Sequence, residues 1–149
     1  MASPDFLPAV TEHIALFVLS FLAGSVLPLG SEWYVWQLLT DGHAMLGVVI
    51  VATLGNTLGG VLTWWLGARG REVWLRRHQD SRRFLWASTL FRRYGIWSLL
   101  FSWLPLIGDV LVALAGASGA GWRFATLLML LGKGARYVML AYAVMQTLA

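Results

Sequence analysis

Two apolar runs of this chain are each broken by a proline and glycine motif that ends in a carboxylate: Leu27-Pro28-Leu29-Gly30-Ser31-Glu32 and Leu104-Pro105-Leu106-Ile107-Gly108-Asp109. The two prolines are 77 positions apart, and so are the two acids. At the same offset Gly42 falls on Gly119 and Gly55 on Gly132. The chain therefore reads as a duplicated unit, and the fold of one half constrains that of the other. Interrupted hydrophobic segments at corresponding places in two halves are the pattern of membrane transporters, whose binding site lies near the bilayer midplane.

Composition agrees with a membrane setting. Of 149 residues, 58% are hydrophobic and 12% charged, with a mean hydropathy of +0.69. Soluble domains carry roughly 25% charged residues. A core this small cannot hide so much apolar surface, so the hydrocarbon of a bilayer must cover it. The absence of cysteine excludes disulfides, thiol catalysis and Cys-based metal sites. The first thirteen residues hold Asp5 and Glu12 but no Lys or Arg, unlike a secretory signal. The N-terminus is therefore expected to belong to the mature protein.

Four apolar stretches follow, at about 14–39, 44–66, 95–117 and 124–148. The second and fourth are long enough to cross a hydrocarbon core of about 30 Å as single helices. In the other two, Pro28 and Pro105 remove a backbone donor, and Gly30 and Gly108 permit a turn. Their halves are too short to span alone and read as re-entrant hairpins, tolerated at membrane depth only where protein buries them or they line a water-filled cavity. Eight arginines between Arg69 and Arg93 place the central polar stretch in the cytoplasm. Because each repeat then crosses once, the two repeats are inverted. The expected fold is an all-α membrane protein, an inverted repeat of re-entrant helical hairpin plus transmembrane helix, with a basic amphipathic cytoplasmic helix between the repeats. One domain, 1–149, comprises repeat 1 (about 14–66), a basic linker (about 67–93) and repeat 2 (about 94–148).

Within that linker, Asp80-Ser81 can cap a helix through Phe84, Ala87, Leu90 and Phe91, with Arg82, Arg83, Arg92 and Arg93 around its polar side. Such a helix lies on an anionic membrane surface, or the segment is a solvated loop whose arginines set topology. Both readings stand. Nucleic acid is not an expected partner, because orientation already accounts for the arginines. His13 and His43 fall near expected interfaces, and no His-x-x-x-His or His-x-x-Glu spacing marks a metal site. No metal and no cofactor is expected.

Four ionisable residues fall inside apolar segments: Glu32, Asp109, Lys133 and Arg136. A charge near the bilayer centre costs on the order of 2.5–3.5 kcal/mol, so each should face protein or water and pair. Lys133 and Arg136 are three residues apart and share a helical face. If the hairpin tips meet, that face meets both carboxylates. One outcome is purely structural, two buried ion pairs holding the halves in register while each acid caps its half-helix. The other is a site for an anion, because exposed half-helix N-termini favour one at a helix break. Gly55 and Gly59 flank Asn56 as a small-residue packing pair, and Asn56 itself can contact a substrate or hold a hairpin carbonyl. Trp33, Trp36, Trp64, Trp65, Trp74 and Trp122 suit interfacial belts, and Trp97 and Trp103 the packing of the second hairpin.

Gly55-Asn56-Thr57-Leu58-Gly59-Gly60, Arg93-Tyr94-Gly95, Ser102 to Asp109 and Leu131-Gly132-Lys133-Gly134-Ala135-Arg136-Tyr137, together with Leu27 to Glu32, resemble the DedA family, also called VTT-domain or SNARE-associated Golgi proteins. The similarity runs over nearly the whole chain and is greatest to the short YqaA-type branch. It implies two re-entrant hairpins facing each other across the membrane and a role in moving lipids between leaflets. Bacterial members are linked to recycling of undecaprenyl phosphate or flipping of phospholipids, coupled to the proton motive force, and eukaryotic relatives to scrambling. Glu32 matches the acid of the family's first hairpin motif and Pro105 the proline of the second. Larger members carry arginines around that second proline, where this chain has Trp103 or Gly108.

The expected function is that of a multi-pass bacterial inner-membrane lipid transporter, a flippase or scramblase, for a lipid with an anionic head group such as undecaprenyl phosphate or a phospholipid. Glu32 and Asp109 would form the proton and substrate site. Lys133, Arg136 and Asn56 would bind the head group, and Pro28, Gly30, Pro105 and Gly108 would break the hairpins. Membrane lipids and protons are the expected partners, and a homo-oligomer is left open. The chain is not expected to be an enzyme; a membrane-embedded head-group enzyme or a non-transporting scaffold are the alternatives.

Overall fold

The structure, a computed structural model, describes residues 6–25 and 30–149. Pro28 lies outside the described residues. Those residues form seven α-helices and one 3₁₀ helix, with no strand among them: α1 (Phe6–Gly24), α2 (Glu32–Thr40), α3 (Met45–Arg69), α4 (Arg71–His78), α5 (Arg82–Tyr94), the 3₁₀ helix (Gly95–Phe101), α6 (Ile107–Ala117) and α7 (Trp122–Leu148). The chain is all-α. At 25 and 27 residues, α3 and α7 are long and apolar enough to cross a membrane. Helix α1 begins well before residue 14, because Pro8 falls in its first turn, where a missing N–H breaks no helical bond.

Two turns recur at the same offset of 77 residues. Helix α2 ends with the His43 N–H donating to the Leu38 carbonyl and the Gly42 N–H to that of Leu39; α6 ends with the Ala120 N–H donating to Ala115 and the Gly119 N–H to Gly116. Both are Schellman endings, which need a residue at positive φ after the cap, and Gly42 (φ 89°) and Gly119 (φ 78°) supply it. Ala44 and Gly121 then enter α3 and α7 with nearly the same dihedrals, φ −61°, ψ 119° and φ −58°, ψ 123°. The packing follows suit. In each half the first short element lies on the long helix of its own half, α1 on α3 and the 3₁₀ helix on α7. The second lies on the long helix of the other half, α6 on α3 and α2 on α7.

Bare glycines make the closest contacts. A Cβ on Gly24 would collide with the Asn56 carbonyl, and one on Gly59 with that of Phe21, so α1 and α3 touch backbone to backbone. Gly67 and Gly116 do the same between α3 and α6, against the carbonyls of Ala113 and Trp64. Two apolar cores result. One joins Leu16, Val35, Leu38, Val48, Ala52, Ala141 and Val144, and the other Leu99, Leu111, Val112, Ala125, Leu128 and Met129 with Val61 and Trp64 beside them. The start of α3 thus packs with the end of α7, and its end with the start of α7. The two long helices run antiparallel.

In the linker, Ser81 caps α5 by accepting the Phe84 N–H at 3.1 Å, as expected. Gly95, at φ 58°, ends α5, and the chain continues directly as the 3₁₀ helix, so the stretch expected at 95 begins as an extension of α5. Two tryptophans depart from expectation. Trp97 is 57% exposed, because the three-residue turn points Ser98 and Leu99 inward and leaves its ring outside, edge-on to Phe124. Trp64, expected at an interface, is half-buried beside the second core.

Candidate functional site

A polar cavity of about 300 Å³ lies between the two apolar cores, halfway along α3 and α7. Its lining brings together Gly30, Glu32, Asn56, Pro105, Asp109, Lys133 and Arg136, with Ser102 and Leu106. Gly108 stands behind the wall: a Cβ there would strike the Ser102 carbonyl, and that close approach seats the start of α6.

The second break is a tight device. The Pro105 carbonyl accepts the Ile107 N–H at 2.7 Å around Leu106, whose φ of 67° and ψ of −38° describe a γ-turn. A leucine pays a steric cost at positive φ, and such strain persists only where the surroundings enforce it. Here the Gly108 N–H, donating to the Leu104 carbonyl at 2.9 Å, and the contact of Gly108 with Ser102 enforce it. The turn delivers Asp109 into the first turn of α6, facing the cavity.

The four charges are not paired alike. Arg136 and Glu32 form a direct ion pair, with side chains 24% and 35% exposed. Lys133, the single lysine of the chain, is 2% exposed and donates to the Asn56 carbonyl at 3.0 Å. It lies 77 positions after Asn56, so this bond joins equivalent residues of the two halves. Asp109 makes no hydrogen bond or ion pair within 4 Å among the described residues, and shares the cavity lining with Lys133. Neither acid caps its half-helix through a backbone N–H. The site therefore holds one closed pair and one open pair, and sums to neutral.

Hydroxyls and an amide brace the closed pair. Tyr137, next to Arg136, shares a 2.6 Å hydrogen bond with Ser31, next to Glu32, and its oxygen accepts from the Asn56 amide at 3.2 Å. All three residues are buried. Asn56 thus spends its side chain on Tyr137 and its carbonyl on Lys133. Ser31 and Tyr137 were missed in the sequence, although each adjoins a charged residue singled out there. Ser102 was also missed. It lies 77 positions after Ser25, and its buried hydroxyl has no partner among the described residues while the residue lines the cavity.

His13 and His43 lie elsewhere, at the end of the bundle near the α2–α3 turn. His43 pairs with Glu12 at 2.7 Å, and the two imidazoles meet edge-on at 5.3 Å. No group of three or more His, Cys, Asp or Glu that could hold a metal occurs among the described residues.

The profile of the VTT domain matches residues 11–146. The inner membrane protein YqaA of Escherichia coli is 39% identical over 133 residues, covering 89% of this chain and 90% of that protein, and its counterpart in Shigella flexneri matches equally. An uncharacterized protein of Haemophilus influenzae is 35% identical over 137 residues, 85% of this chain and 83% of its own length. No solved structure matches the chain.

Proposed function

We propose that this chain, which belongs to the VTT-domain (DedA) family and is a bacterial inner-membrane protein, carries a lipid with an anionic head group between leaflets together with protons. The observation that carries this reading is the neutral cavity holding two acids and two bases at half-height in the bundle. A singly charged phosphate entering that cavity leaves it with one excess negative charge. A net charge at membrane depth is expensive, and one proton taken up by a carboxylate restores neutrality. One proton per monoanionic head group is the resulting coupling.

The pairing supports a division of roles. The phosphate competes with Glu32 for Arg136, a guanidinium that suits phosphate as well as carboxylate. Lys133 supplies a second cation, and the unpartnered Ser102 hydroxyl a donor. Asp109, without a hydrogen bond, is the acid free to take the proton, and the displaced Glu32 is the other candidate. In this reading the broken segments are re-entrant hairpins entering from opposite faces. The matching turns at Gly42 and Gly119, the antiparallel long helices and the crosswise packing of α2 and α6 support that inverted arrangement. The lining offers charge pairs, not a nucleophile beside a base, which favours a carrier over a head-group enzyme.

Reconstitution in liposomes with head-group-labelled lipids tests the proposal. Leaflet exchange that consumes a proton gradient and prefers anionic over zwitterionic lipid supports it. Chemical conversion of the lipid would instead make the chain an enzyme, and neither exchange nor conversion would leave a scaffold.

A further inference from the structure

The linker between the two halves has no role in the cavity, yet it concentrates charge. Between Gly67 and Tyr94 stand eight arginines against Glu72 and Asp80. Helix α5 turns Ala87 inward, fully buried, with Phe84 and Phe91 half-buried on either side. Its opposite face is not the polar surface a solvated helix would show. Spacing at 3.6 residues per turn puts Arg82, Trp86 and Arg93 in one outward stripe, with Leu85 and Arg92 along one edge. Trp86 is 64% exposed and Leu85 54%.

The surrounding end of the bundle has the same chemistry. Arg69 lies over the Trp65 ring at 5.0 Å at the end of α3, Arg123 over Trp122 at 5.5 Å at the start of α7, and Arg93 over Tyr94 at 5.6 Å where α5 runs into the 3₁₀ helix. Arginine paired with an aromatic ring suits the boundary between hydrocarbon and water. At the other end, around Glu12, Asp41 and His43, there is no arginine or lysine. Helix α5 is therefore tethered at the basic end by helices that enter the membrane. An outward tryptophan and leucine set among arginines match a surface that is apolar below and anionic above.

We infer that the Arg82–Trp86–Arg93 face of α5 is an interfacial docking surface for anionic phospholipid head groups of the cytoplasmic leaflet. Leu85 and Trp86 enter the acyl boundary, while Arg82, Arg83, Arg92 and Arg93 hold phosphates. This stands apart from the cavity and does not require that the chain transport lipid.

The chain lacks cysteine, so a single environment-sensitive probe can be attached to Thr89→Cys, exposed beside this stripe. The full-length protein is reconstituted in phosphatidylcholine vesicles with and without phosphatidylglycerol, and quenching by lipid-borne nitroxide is compared with quenching by aqueous iodide. Lipid quenching should rise with phosphatidylglycerol and fall at high salt. Replacing the four arginines with glutamine should weaken the anionic-lipid preference by up to roughly several hundredfold, and Trp86→Ala should make the probe shallower with charge dependence retained. A probe reached by iodide at every lipid composition overturns the inference. So does equal burial in pure phosphatidylcholine, or protection gained only when RNA or a soluble acidic protein is added.

Discussion

Tyr137 ties three helices at one oxygen, joining Ser31 before α2, Asn56 on α3 and its own α7. Tyr137→Phe keeps the ring and strands a buried amide and a buried hydroxyl, so it should lower stability by about 1–3 kcal/mol in denaturant titrations in detergent. The adjoining ion pair is partly exposed. Arg136→Ala should therefore cost less than the ~3–5 kcal/mol typical of a fully buried pair, about 2 kcal/mol. Adding Glu32→Gln should recover part of that loss, and strict additivity in the double-mutant cycle would show that the two do not interact. The acids should separate in transport. Asp109→Asn, near-isosteric and without a hydrogen bond among the described residues, should fold normally and lose the pH dependence of lipid exchange, whereas Lys133→Ala should weaken the preference for anionic head groups. Parent-like exchange by Asp109→Asn and Glu32→Gln across the pH range would make both acids structural.

At the scale of elements, glycine seams set where helices meet. Gly116→Ala drives a methyl group into the Trp64 carbonyl on a backbone that cannot yield, while Gly121→Ala meets nothing within 4 Å. The first should destabilise by roughly 1–3 kcal/mol and the second should be neutral, compared by thermal unfolding in detergent. Much of this was legible in the sequence. The helix breaks at Gly30 and Pro105, the long helices and the meeting of Lys133 and Arg136 with both carboxylates followed from hydropathy and an offset of 77. The identity of the pairs did not. Both bases share a face, and only the packing of α2 on α7 decides that Arg136 takes Glu32. The γ-turn at Leu106 was equally hidden, because leucine carries no local signal for positive φ; a contact between Gly108 and Ser102, remote from hydropathy, enforces it.

For the whole molecule, the proposed inverted halves make a topological prediction. Asp41 and Ser118 follow α2 and α6 at equivalent turns. Single cysteines at these sites should react with a membrane-impermeant reagent from opposite faces, Asp41→Cys from outside and Ser118→Cys from inside; labelling of both from one face would refute the inversion. The two halves are nevertheless unequal at their point of contact, where Asn56 of one meets Lys133 of the other. Identical halves would offer a lipid the same binding free energy from either leaflet, and an amide side chain at one of these equivalent positions against an ammonium at the other removes that degeneracy. Unequal affinities create no net flow by themselves, since detailed balance holds at equilibrium. In the proposed carrier they would decide on which side the empty site waits and which leaflet saturates it first, so that under a gradient the two directions would run with different half-saturation, the behaviour of a kinetic rectifier.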